Sequence, residues 1–351
     1  MTQAAALAAY GSNSPSNRNR IINGDMRIDQ RNAGASVTAT LGVVGYPVDR
    51  WALNVSASSK FTAQQSSAFV GFSNSLLITS SSAYSITSGD YFLVEQNIEG
   101  FNVADLGWGT ANASAVTLSF KIKSSLTGTF GGVISNSALN RSYPFTYSIP
   151  VANTETTISI TIPGDTSGTW LTTNGIGIRV RFSMGTGSTY SGTAGAWSGS
   201  TYVSATGATS VVGTSGATFY ITGVQLEEGS VATPFEHRQY GQELALCSRY
   251  FQLVEGFAAG SYNSANIIGS LSFPVVMRAS PTVSATAAIA ITYPGVADYT
   301  QSSANATIVA GRVTSRGIQV EMGNFSGMTS GRVHYQNVGI NNAALAVSSE
   351  L

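Results

Sequence analysis

The sequence predicts an all-β protein: a large β-sandwich, a short linker helix and a second, smaller β-sandwich, with a short amino-terminal arm in front. Three observations carry this. The 351 residues include 38 Gly and only 10% charged residues, against roughly 25% in typical soluble proteins. Ser, Thr, Val and Tyr are abundant, which is a strand-and-turn composition. Apolar and polar residues alternate with period two in several segments, as half-buried strands require. The length exceeds that of one ordinary domain, so two folded units plus an arm is the natural division.

Residues 1–20 read as the arm. An Ala-rich turn or two is stopped by the Gly, Ser, Asn and Pro of "GSNSPSNRN", and an apolar arm too short to fold alone usually docks elsewhere. The opening "MTQAAALAAYGSNSPSN" lacks the basic region of a signal peptide. No apolar run approaches the ~20 residues needed to span a bilayer, so no membrane insertion is expected.

The larger sandwich is placed at 21–236. In "AVTLSFKIK", Val116, Leu118, Phe120 and Ile122 alternate with Thr117, Ser119, Lys121 and Lys123. "TISITIPG" puts Ile158, Ile160 and Ile162 on one face, and "IGIRVRFSM" does the same with Ile176, Ile178, Val180, Phe182 and Met184. Strands with one polar face each argue for a sandwich of antiparallel sheets. Trp51 follows "VDR" at a strand start and reads as core; Trp170 reads as strand-edge packing. Trp108, flanked by Gly in "DLGWGTAN", either covers the core or faces a ligand. Between Ser183 and Gly216 lies a long Gly/Ser/Thr stretch carrying Tyr190, Trp197 and Tyr202. It forms edge strands and turns with Trp197 packed beneath, or it offers these aromatics on a loop to a flat partner such as a sugar ring.

In "FYITGVQLEEG", Phe219 and Ile221 share one phase while Val224 and Leu226 share the other, which predicts a bulge at Gly223. After Pro234, "RQYGQELALCSRYF" has helical spacing, so 237–252 is the linker helix, with Cys247 a small buried residue rather than a nucleophile. Glu227, Glu228, Glu236, Arg238, Glu243 and Arg249 gather here, as expected if the junction is solvated. Residues 253–351 show shorter alternating runs, "LSFPVVMRASPTVSAT" and "GIQVEMG", and form the small β-domain.

Charge and rare residues narrow the function. Formal net charge is zero, and only Arg18, Arg20, Arg27 and Arg31 cluster, with Asp25 and Asp29 among them. That reads as a salt-bridged domain start, and nucleic acid is not an expected partner. Cys247 is the single Cys, which excludes an intrachain disulfide and a thiolate metal cluster. The two His, His237 and His334, have no triad or nucleophile-elbow motif beside them, and zinc spacing is absent. No catalytic and no metal-binding residue is expected. So little charge gives weak self-repulsion, which suits an assembly subunit buried against its own copies.

Two blocks, "NRIINGDMRIDQRNAG" (Asn19 to Gly34) with "VDRWAL" (Val48 to Leu53), and "FYITGVQLEEGSVATPFEHRQYGQELALCSRYFQ" (Phe219 to Gln252), resemble the start and end of a domain recurrent in tail fibres and related host-recognition proteins of bacteriophages and prophages. "FPVVMRASPTV" (Phe273 to Val283) is similar to the small domain that often follows it. The first domain is also similar in plan to jelly-roll carbohydrate-binding modules, which begin with a turn like Asn23-Gly24-Asp25. Those modules commonly carry an acidic residue in the final strand near a structural calcium. Here the strand has Thr222, with acids only at its end (Glu227, Glu228), which departs from that pattern; no cofactor is expected, with a structural calcium left open as the alternative.

The resemblance implies a virion protein of the phage tail, a homotrimer whose arm (Ala4, Ala5, Leu7, Tyr10) attaches to tail or baseplate proteins and whose β-domains bind host-surface polysaccharide or lipopolysaccharide. Two alternatives stand beside it. One is a structural tail, baseplate or capsid-surface subunit without a receptor. The other is a polysaccharide depolymerase, whose carboxylate pair would be assembled by the fold, although the repeats of a long β-helix are not seen. Sugar rings stack on aromatic faces and need amide and hydroxyl partners, without need of charge. The glycan-binding candidates are therefore Trp197 first, with Tyr190, Tyr202 and Trp108, while Tyr299 and Tyr335 would serve a site in the small domain.

Overall fold

The computed structural model describes residues 17–294, 297–301, 307–337 and 344–351, apart from the side chains of 307–311. Ala4, Ala5, Leu7 and Tyr10 lie outside the described residues. From Val37 the chain forms β1 (Val37–Thr38), β2 (Gly45–Val48), β3 (Trp51–Val55), β4 (Phe61–Ser66), β5 (Ser75–Ser80), β6 (Tyr91–Glu99), β7 (Val116–Ser124), β8 (Gly128–Ser135), β9 (Ser142–Ile149), β10 (Thr156–Ile162), β11 (Ile176–Thr186), β12 (Ser191–Gly192), β13 (Ser204–Ala205) and β14 (Thr218–Glu228). Helix α1 (Tyr240–Ser248) follows. Then come β15 (Phe251–Val254), β16 (Ala258–Ser261), β17 (Ile267–Ser272), β18 (Thr282–Ala285), β19 (Ala290–Tyr293), β20 (Ala297–Thr300), β21 (Thr307–Val313), β22 (Gly317–Met322), β23 (Val333–Gln336) and β24 (Leu345–Ser348).

The larger unit is a jelly-roll sandwich of two six-stranded sheets, ordered β1-β4-β5-β14-β7-β10 and β2-β3-β6-β11-β8-β9. Its inner faces carry the apolar phase of each strand. Trp51, Phe61, Phe92, Phe120, Phe130, Phe145, Phe182 and Phe219 are fully buried between the sheets. In β11 the inward residues are Ile178, Val180, Phe182 and Met184, so Arg179 and Arg181 fall on the opposite face by strand alternation. Antiparallel pairing sets Arg181 across from Glu95 and Arg179 across from Asn97.

The phase change in β14 is a bulge. Its register with β7 shifts between Thr222 and Gln225, and Gly223 has φ +60° with Phe72 Cζ only 2.8 Å from where a Cβ would stand. The turn at Asn23-Gly24-Asp25 is fastened to the same strand: Val224 N donates to Gly24 O at 2.9 Å. A Cβ on Gly24 would sit 2.2 Å from Val224 O, so this start and this end of the sandwich close on each other only through glycine.

At the junction the structure overturns one expectation. Half of the charges gathered there are not solvated: Arg238, Glu227 and Glu243 are all at most 7% exposed, while Glu236 and Arg249 are half-buried and Glu228 is exposed. Arg238 Nη1 donates to Ile21 O at 3.0 Å and pairs with Glu243 at 3.3 Å. Glu99 takes Arg249 at 2.8 Å and the Tyr250 hydroxyl at 2.9 Å, while Glu350 pairs with Arg31 at 2.9 Å and with Arg50. Chain ends and turns that leave a sheet have carbonyls without ladder partners, and the guanidinium fork supplies donors where water is excluded. Cys247 is fully buried in a small cluster with Ile22, Ile28 and Tyr250. Of the amino-terminal charges Arg27 pairs with Asp25 as expected, at 2.5 Å, whereas Arg20 pairs with the distant Asp105 at 2.5 Å. Asp29 instead accepts from the backbone N–H groups of Asn32 and Gly34.

The smaller unit stacks a three-stranded sheet, β15-β24-β18, with a seven-stranded sheet, β20-β19-β23-β16-β17-β22-β21. Its core includes Ile267, Met277, Ile291, Val320, Met322 and Leu345. Among the described residues no helix is long and apolar enough to cross a membrane.

Candidate functional site

A cleft of about 160 Å3 opens on the outer face of the sheet that contains β6 and β11, lined by Asn54, Tyr91, Leu93, Leu139, Arg181, Tyr190, Thr201 and Val203. Its floor is built by the outward residues of β3, β6 and β11. Leu93, Val133 and Val203 form a small buried cluster of their own, with Tyr91 and Tyr190 packed against it. These two half-buried rings meet edge to face, with centroids 5.5 Å apart and planes at 88°, a favoured aromatic geometry.

The Gly/Ser/Thr stretch forms the wall. Gly187 N donates to Asp90 O at 2.8 Å and Thr189 N to Ser88 O at 3.0 Å, which lays a single 3-10 turn ending at Tyr190 beside β6. Val203 N donates to Tyr190 O at 2.8 Å, so β12 and β13 run parallel and close the loop. Thr201 Oγ1 donates to Leu139 O at 2.8 Å, tying this loop to the β8–β9 turn. The Asp90 carboxylate anchors the base of the wall, accepting from the N–H and hydroxyl of Thr87 and the hydroxyls of Ser56 and Tyr84. Burial works against its charge, but these hydrogen bonds prevail and hold its pKa below the ordinary carboxylate value.

Polar groups run along the floor. Arg181 Nε donates to Glu95 Oε2 at 2.6 Å, and Asn54 Nδ2 donates to Glu95 Oε1 at 3.3 Å. Further along, Arg179 Nη1 donates to Asn97 Oδ1 at 3.1 Å. Asn97 Nδ2 donates to Leu351 O at 3.0 Å, so the carboxy-terminal segment marks that end of the face. Arg179 loses some basicity, through burial first and through the neighbouring Arg181 charge second.

The sequence-predicted residues separate. Tyr190 lines the cleft. Tyr202 lies against the next strand, where a Cβ on Gly192 would strike its ring at 2.2 Å. Trp108 is only 7% exposed; it covers the core and donates its indole N–H to Ser114 O at 2.8 Å. Trp197 is half-buried over Trp108 and Trp170, with centroids at 5.4 and 5.5 Å, and its indole N–H is spent on Pro163 O at 2.8 Å. In that setting it works as the clasp of its own loop. Tyr299 packs edge-on against His334 in the smaller unit, and Tyr335 is exposed. Sequence reasoning missed Tyr91, Asn54 and Arg181. The last was visible in "IGIRVRFSM", whose alternation defines an outward face as firmly as an inward one.

Two of the groups that could have marked a cation are engaged with the protein, while Glu228 is exposed. Thr222 Oγ1 donates to Asn74 O at 2.7 Å, and Glu227 accepts from the N–H and hydroxyl of Thr233 at 2.8 and 2.7 Å. Among the described residues no group of three His, Cys, Asp or Glu could hold a metal ion.

The chain matches no protein-family model and no curated protein sequence. Among solved structures it is similar to the enzymatically active domain of tailspike protein 4 of bacteriophage CBA120, with 15% identity over 62% of this chain and TM-score 0.35. That match spans 22% of the tailspike chain. It is also similar to a family 11 carbohydrate-binding module from Clostridium thermocellum in complex with a mixed-linked tetrasaccharide, with 12% identity over 59% of this chain and 100% of that one, TM-score 0.28. A third is the amino-terminal cellulose-binding domain of a Cellulomonas fimi glucanase, with 13% identity over 50% of this chain and 91% of that one, TM-score 0.27. Likenesses this distant say nothing of what this chain binds.

Proposed function

We propose that this chain is a glycan-binding subunit and that the glycan lies in the cleft between Tyr91 and Tyr190. The observation that carries this reading is the Tyr91–Tyr190 pair, half-buried over an open cleft, with the Asn54 amide and the Thr201 hydroxyl on the same lining. Sugar rings offer apolar CH faces to aromatic carbon and hydroxyls to amides and hydroxyls, and this lining supplies both. At about 160 Å3 the cleft is smaller than the ~300–1,000 Å3 of a drug-sized pocket. It suits a sugar ring of a longer chain that continues along the sheet face. The binding reading is favoured over depolymerase because the lining residues include no carboxylate, and Glu95 beneath them is engaged by Arg181 and Asn54.

The tail-fibre resemblance of Asn19–Gly34 and Phe219–Gln252 supports placing this activity on a phage tail, in a homotrimer held by residues 1–20 and facing host polysaccharide or lipopolysaccharide. The low charge of the chain is compatible with subunits buried against one another. Two experiments test the reading. A host-surface glycan array should give binding that Tyr91→Ala and Tyr190→Ala both weaken; retention of full binding by both variants removes the cleft from the reading. Sedimentation at micromolar concentration should give three times the monomer mass, and a clean monomer overturns the trimer.

A further inference from the structure

We propose that this cleft selects a carboxylate-bearing glycan, held through the guanidinium groups of Arg179 and Arg181. The proposal rests on the reading of the cleft as a glycan site and names its ligand class. Arg181 is 3% exposed, yet its hydrogen bonding is confined to Nε with Glu95, and its Nη1 is buried without a partner. Arg179, two residues along β11 on the same face and outside the cleft lining, gives Nη1 to Asn97 while its Nε is buried without a partner.

A buried donor left unmade is costly, more so when it is charged. Of these two guanidinium groups, Arg181 pairs with Glu95 while Arg179 reaches only the neutral Asn97 amide, leaving one positive charge over and donor capacity unspent. An incoming carboxylate answers both needs, because the planar guanidinium fork pairs with it through two parallel N–H···O bonds. Tyr91 and Tyr190 then take the ring that bears it. The charge is two side chains wide, too narrow for the run of phosphates that a nucleic acid presents.

The test uses the full chain and three oligosaccharides, oligogalacturonate, oligoglucuronate and oligosialic acid, each as the carboxylate and as the carboxyl-reduced neutral form, together with neutral cello- and galacto-oligosaccharides. At least one carboxylate form should bind tenfold or more tightly than its reduced form, and added salt should narrow the gap. Arg179→Gln should abolish that preference. Arg181→Gln strands Glu95 and can fail to fold, so the paired Glu95→Gln/Arg181→Gln variant is the one to measure at that position, with the same loss of preference expected. Equal binding of acid and reduced forms, or binding of neutral sugars alone, overturns the acidic class and leaves the cleft as a glycan site. Binding to no member of the panel overturns both. Acid preference that survives Arg179→Gln and the double variant places the carboxylate elsewhere and overturns the assignment to these two residues.

Discussion

Asp49 is 1% exposed and accepts hydrogen bonds from Gln30 and Arg31, but burial outweighs them and lifts its pKa from 3.8 to about 6. The folded state therefore holds this proton more tightly than the unfolded one. Its stabilising contribution is complete below the ordinary carboxylate value and is lost as pH rises to about 6. Burial moves Asp25 and Glu243 in the same direction. Urea unfolding of the wild type should accordingly lose stability between those two pH values, and Asp49→Asn should flatten the loss. Identical pH slopes for the two proteins would contradict the assignment. The same burial pushes the Cys247 thiol well above its usual value, consistent with a packing role in the linker helix.

At the scale of elements, β14 shows what period-two reading can and cannot find. Its phase change at Gly223 was legible because a bulge flips the apolar face, and the register shift falls there. Gly223→Ala must hold φ +60° against Phe72. It should cost at least the ~1–2 kcal/mol of left-handed backbone for a residue with a Cβ, read as a lower denaturation midpoint at unchanged m-value. A neutral result would mean that the bulge relaxes. The strands around it were legible because each keeps one polar face. The aromatic loop was not: whether Trp197 or Tyr190 meets a ligand depends on partners such as Trp108, Trp170 and Tyr91, which only the folded chain brings together. Pairing of Arg181 with Glu95 likewise needs the register of strands 86 residues apart. The buried charges of the junction were misread because a charged run by itself suggests water, and only tertiary contacts reveal a paired network.

For the whole molecule, the two sandwiches are tied by ion pairs and hydrogen bonds at one seam. Glu350, 8% exposed in its side chain, meets Arg31 and Arg50 of the first sandwich, and Arg278 Nη1 donates to Asn174 O at 2.6 Å. Breaking a buried pair from one side commonly costs ~3–5 kcal/mol, because the remaining charge stays buried. Glu350→Gln should therefore separate one calorimetric transition into two, the smaller sandwich melting first. A single, unshifted transition would show that the seam does not couple the units. The seam also fixes the segment ending at Leu351 against Asn97 on the cleft's own sheet face, so loosening it should alter how far along that face a glycan chain can lie.

The most direct test of the account is a calorimetric titration of the tightest-binding host glycan from the array against the wild type, Tyr190→Ala and Trp197→Ala, with folding of each checked by circular dichroism. If the glycan lies against the Tyr91–Tyr190 pair, Tyr190→Ala loses at least ~2 kcal/mol of binding free energy, the size expected of a central contact, while Trp197→Ala, whose ring clasps its own loop, changes affinity little once folded. Full affinity in Tyr190→Ala together with loss of binding in a folded Trp197→Ala would contradict the account and move the site to the Trp108–Trp170–Trp197 cluster.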